Sequence, residues 1–172
     1  FLPGKEAKIM KMVKDKQILV GADFAGYPLK EAVCAHLRKK GWEITDVGVT
    51  DPNTEDTELM FHRIGLRVGS MIAEGEFERA LVFCGTGMGM SLVANKFDGI
   101  YAACVESVYG AKMCRAINNA NILTMGGWII GPEMGVEMVK AFLNTGFTQD
   151  LEPWRAEFLT KAFDIVKGMD TK

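Results

Sequence analysis

Apolar positions along the chain fall into two rhythms that take turns. Short unbroken apolar runs, "KQILVGA" (16–22), "RALVFC" (79–84), "GIYAACV" (99–105) and "NILTMG" (121–126), predict strands buried on both faces. "WEITDVGV" (42–49) alternates apolar and polar and predicts one more strand. Between these runs the apolar residues recur at helical spacing. Leu29, Ala32, Val33 and Leu37 predict a helix over 28–41, opened by Pro28 and closed by Gly41. The same rhythm predicts helices over 59–75, 90–96, 107–119, 132–144 and 153–168. The polar stretch "TDPNTEDTE" (50–58) reads as a loop. Strands that alternate with helices imply an α/β domain: a doubly wound parallel sheet covered by helices on both faces, in three layers.

Composition narrows this picture. With 172 residues and 48% hydrophobic content, residues 16–172 suffice for a single domain with a full core. Residues 1–15, with lysines at 5, 8, 11 and 14, read as a basic, partly helical arm. The net charge of −2 gives no basic surface for nucleic acid. No apolar run approaches the roughly 18 residues of a membrane helix. The four cysteines, Cys34, Cys84, Cys104 and Cys114, form no CxxC pair, and there are only two histidines. That pattern speaks against a zinc site and against a disulfide framework, so no metal is expected. Free thiols without a secretory signal suggest a reducing, cytoplasmic setting. Any one cysteine reads first as a small buried hydrophobe.

Two segments place chemistry at the carboxyl ends of strands, where doubly wound sheets bind ligands. One is "GADFAG" (21–26), the other "FCGTGMGMS" (83–91). The second is G-x-G-x-G. Met90 breaks the dinucleotide pattern G-x-G-x-x-G, and the G-K-[ST] of a phosphate loop is missing. Glycines at this spacing let successive amides converge, and the following helix adds a field that favours an anion. A thiol at the mouth of such a nest suits chemistry in which a base works beside a developing oxyanion. The same letters also fit a tight strand–helix turn with a core cysteine.

From about 17 to 147 the chain resembles the ribose-5-phosphate isomerase B and galactose-6-phosphate isomerase subunit family. The resemblance rests on "GADFAG" (21–26), "DVG" (46–48), "CGTGMGMSLVANK" (84–96), "GIYAA" (99–103), "NNAN" (118–121) and "GGWIIG" (126–131). It implies a Rossmann-like or flavodoxin-like sheet, a homodimer or dimer of dimers with the site at the subunit interface, and interconversion of aldose and ketose phosphates through a cis-enediolate. No cofactor is implied. By the same resemblance Cys84 is the base, Thr86 moves protons between O1 and O2, and Asp23 meets the hydroxyl end of the substrate. The amides of Gly85, Gly87 and Gly89, with Ser91, hold the enediolate. Asn118 comes from the partner subunit, and Arg115 and Arg155 hold the phosphate.

The departures from that pattern carry information. Many members have a histidine after the aspartate, where this chain has Phe24. Many have a ring-opening histidine before the asparagine, where this chain has Ile117. The pentose enzymes have two arginines four apart near the last helix; here the first is Leu151 and only Arg155 remains. Neither Phe nor Ile carries a proton. His36, mid-helix, reads as solvated, and His62 as a structural or surface residue at a helix start. A tetrose 4-phosphate has its O4 blocked and closes no furanose, so it fits these losses better than ribose 5-phosphate. The alternative is a non-catalytic or half-site subunit, as in the two-subunit galactose-6-phosphate isomerases. A nucleotide-binding module is disfavoured by Met90.

Overall fold

The computed structural model describes residues 9–169. Five parallel strands form the sheet: β1 (Gln17–Ala22), β2 (Glu43–Asp46), β3 (Ala80–Cys84), β4 (Ala102–Cys104) and β5 (Ile122–Gly126). Six α-helices surround it: α1 (Tyr27–Lys39), α2 (Phe61–Ala73), α3 (Met88–Ala94), α4 (Val108–Ala116), α5 (Pro132–Asn144) and α6 (Pro153–Lys167). The strand order is β2-β1-β3-β5-β4. Successive strand residues point to opposite faces, and the core divides accordingly. Ile18, Val20, Leu81, Phe83 and Leu123 pack with α1, α4 and α5, whereas Leu19, Val82, Cys84 and Ile122 pack with α2 and α3. The expected three-layer, doubly wound α/β architecture is present.

The edges follow from sequence. β3 and β5 are buried at every position, while β2 and the three-residue β4 are only partly covered. Apolar "ILTM" therefore takes an inner place and short "AAC" the edge, where a brief strand limits unwanted pairing. The strand predicted over 99–105 shrinks to three residues. Gly99 has φ of 78°, and the Tyr101 amide donates to Asn121 Oδ1 at 2.9 Å, a side chain in place of a strand. β2 stops at Asp46, whose Oδ1 accepts from the Gly48 amide at 2.9 Å and turns the chain. The wholly buried Lys30 holds this turn, with Nζ 2.6 Å from Asp46 Oδ2 and a further bond to the Val49 carbonyl.

The arm expected over 1–15 falls partly on residues 1–8, outside the described residues. The described remainder is not an α-helix. Lys11 forms a parallel bridge with Phe77, followed by a 3-10 turn at Val13–Asp15.

Candidate active site

The strand order reverses direction between β1 and β3, and the loops after these two strands meet there, at the topological switch point. The Asp23 amide donates to the Phe83 carbonyl at 3.2 Å, which ties the first loop to the second. The Asp23 carboxylate accepts from the Gly26 amide at 3.0 Å. Burial pushes the Asp23 carboxyl above its ordinary range, and the amides of Gly26 and Ala25 hold part of that rise back.

Cys84 ends β3, 4% exposed, and its Sγ accepts from the Gly87 amide at 3.1 Å. Gly87 has φ of 79°, and a Cβ there would stand 2.8 Å from the Met125 carbonyl carbon, so the turn needs glycine. Its amide was expected to face an oxyanion; the structure directs it to the thiol. Thr86 is half-buried, and its Oγ1 lies 3.4 Å from the Met88 amide. Behind the nest the Cys104 thiol donates to the Thr86 carbonyl at 3.7 Å. β5 anchors the same loop: the Gly127 amide donates to the Cys84 carbonyl at 2.8 Å and the Trp128 amide to the Gly85 carbonyl at 3.0 Å.

These residues enclose a pocket of about 300 Å³ lined by Asp23, Ala25, Phe61, Cys84, Gly85, Thr86, Gly89 and Trp128. Three expected residues, Asp23, Cys84 and Thr86, thus meet with Gly85 and Gly89. Others do not join them. Ser91 turns to β4, donating to the Ala102 carbonyl at 3.3 Å. Arg115 is 6% exposed and gives its donors to the carbonyls of Thr145 and Ala120 and to Asn119 Oδ1. Burial and nearby Arg79 lower the Arg115 guanidinium to about 10. Asn118 and Ile117 lie just before β5 begins, whereas Cys84 pairs with Gly126 at its far end. Within one chain that separates them by roughly 13 Å of strand. Asn118 and Arg155 are exposed.

Phe61 and Trp128 escaped sequence reading, because nothing in "GGWIIG" distinguishes a site tryptophan from a turn. His36 proves half-buried rather than solvated. His62 is exposed and meets the Phe61 ring edge-on at 5.3 Å, outside the pocket lining. Burial pushes the Cys34 and Cys114 thiols up to about 11, which fits core cysteines. No group of three or more metal-ligating side chains occurs among the described residues. No helix among them is long and apolar enough to cross a membrane.

A family model described as Ribose/Galactose Isomerase matches residues 18–157, a span that contains every residue of this pocket. The chain belongs to that family. Among isomerases of this family, it is 56% identical over 154 residues to 4-deoxy-4-sulfo-D-erythrose isomerase of Clostridium sp. strain MSTE9, covering 90% of this chain and 95% of the relative. It is 36% identical over 130 residues to D-erythrulose-4-phosphate isomerase of Pectobacterium atrosepticum, 76% of this chain and 84% of that one. The fold matches ribose-5-phosphate isomerase B of Clostridium thermocellum with a TM-score of 0.74 at 34% identity, over 88% of this chain and 97% of the other. The protein is accordingly a sugar isomerase of the ribose/galactose isomerase family.

Proposed function

We propose that this enzyme interconverts the aldose and ketose forms of a four-carbon sugar bearing a terminal anion, with a 4-deoxy-4-sulfotetrose as the foremost substrate. One observation carries the reading. The pocket holds three side chains able to move protons, Asp23, Cys84 and Thr86, and no imidazole. Those three suffice for an open chain. The Cys84 thiolate takes the proton from C2 of the aldose while electrons move onto O1. Thr86 passes a proton from O2 to O1 across the resulting cis-enediolate. The Cys84 thiol then returns its proton to C1, giving the ketose. Asp23 meets the remaining hydroxyls.

Opening a furanose requires a further acid–base group, and Phe24 and Ile117 cannot supply one. A four-carbon sugar with sulfonate or phosphate at C4 has no free O4 and forms no furanose. The relatives named for four-carbon sugars support this choice, and the 56% identity favours the sulfonate. The pocket residues lack a cationic side chain, so the terminal anion is met by a second copy of the chain, through Asn118 and Arg155. A homodimer therefore completes the site.

The test is a coupled assay of the chain purified alone, across aldoses and ketoses of four, five and six carbons with terminal phosphate or sulfonate. The expected kcat/KM for a four-carbon pair exceeds that for ribose 5-phosphate by about tenfold or more, or about 1.4 kcal/mol in barrier. Full-speed turnover of ribose 5-phosphate with inert four-carbon sugars would overturn the reading. Binding without turnover would favour a half-site subunit.

A further inference from the structure

The nest glycines serve different neighbours. Gly87 supplies the left-handed turn, but Gly85 and Gly89 each carry an aromatic ring. A Cβ on Gly85 would stand 2.8 Å from Cε3 and Cζ3 of Trp128, and one on Gly89 would stand 2.8 Å from Cδ2 of Phe61. Both rings line the pocket that holds Cys84 and Thr86. Trp128 nevertheless remains 75% exposed, so its ring lies on the Gly85 backbone with most of its surface uncovered. Its place is fixed from below, since its own amide is bonded to the Gly85 carbonyl at 3.0 Å. Burial within its own fold does not account for a large apolar ring held in that position.

The geometry points to Trp128 as a specificity-determining residue that limits the length of the sugar chain. This rests on the proposed isomerisation at Cys84. The reacting carbons must sit within about 3–3.5 Å of the groups that move their protons. They therefore lie between two aromatic walls, Phe61 on the Gly89 side and Trp128 on the Gly85 side. The pocket's volume of about 300 Å³ is at the lower end for small-molecule sites. The apolar C–H face of a short sugar rests against the indole, whose Nε1–H adds one neutral donor. A fifth carbon with its substituents runs into the wall.

The test compares ketoses, because 4-deoxy-4-sulfotetrulose and 5-deoxy-5-sulfopentulose both lack the hydroxyl that would close a furanose. Ring opening then plays no part. Trp128→Ala is expected to shift the kcat/KM ratio toward the five-carbon ketose by about tenfold or more, and Trp128→Phe to shift it by less. Calorimetry with the four- and five-carbon hydroxamates carrying the same terminal sulfonate reads the wall without turnover, and the Kd ratio is expected to move the same way. If wild-type enzyme turns over neither ketose, the functional reading fails, while the Kd ratio still decides the wall. Ratios in Trp128→Ala within twofold of wild type would overturn the assignment, as would an altered oligomeric state with unchanged ratios, which would make Trp128 an interface residue.

Discussion

At the scale of single residues, the site concentrates its cost in Asp23. A half-buried carboxyl with a raised pKa binds protons more readily in the folded chain than in the unfolded one. Folding stability therefore falls as pH rises from the ordinary value of 3.8 through the raised folded value, and the cost is fully present above that window. Asn at this position keeps an oxygen for the Gly26 amide and removes the charge. Asp23→Asn is expected to raise the melting temperature at pH 7 and to leave it unchanged at pH values below the window. Scanning calorimetry at the two pH values checks this; an equal shift at both would show that the carboxyl's burial is not the cause. The same substitution is expected to impair turnover, so stability is exchanged for function at one atom.

At the scale of elements, the β3–α3 turn is the part that tolerates least. Gly87→Ala introduces a left-handed alanine whose Cβ meets the Met125 backbone at 2.8 Å and the Cys104 thiol at 3.1 Å. The expected loss is about 2 kcal/mol in denaturant unfolding. The loss in kcat/KM should exceed what that predicts, because the Cys84–Gly87 contact moves with the turn. Much of this level was legible from sequence. Pro28 and the Leu29–Leu37 spacing mark α1 to within two residues, and every predicted strand is present. What was not legible depends on contacts distant in sequence. Asn121 replaces a strand partner at Tyr101, Lys30 reaches across to Asp46, and Ser91 bonds to β4 instead of the pocket. Arg115 has the charge expected of a phosphate ligand, yet it spends that charge at the end of α5. A one-dimensional pattern shows residue type and spacing, whereas these outcomes turn on which acceptor lies within about 3 Å after folding.

At the scale of the whole molecule, α6 stands apart. None of its residues is buried, and Trp154, Phe158 and Ile165 are each more than 60% exposed at 69%, 61% and 64%. A groove of about 360 Å³ runs between it and β4, lined in part by Ile117, Asn118 and Phe163. This arrangement suits the proposed dimer, in which each pocket draws Asn118 from the other chain. Cys84→Ala and Asn118→Ala homodimers are each expected to lose about 10²-fold or more in kcat. Mixed and allowed to exchange, they should regain activity, since one of the two pockets in each heterodimer is intact. No recovery under confirmed exchange would place both residues in one chain's site.

The position of β5 has a chemical consequence. It lies between β3 and β4, so the strands that carry Cys84 and Cys104 are two spacings apart. At roughly 4.8 Å per spacing, their backbones stand beyond the reach of a disulfide. Both thiols border the same turn, but they cannot bridge. An oxidant that reaches Cys84 thus leaves a sulfenic acid or a mixed disulfide with a small external thiol, and a reductant restores either. The central strand thus denies Cys84 a resolving thiol on β4, and a sulfenic acid that meets no external thiol is open to over-oxidation that a reductant does not reverse.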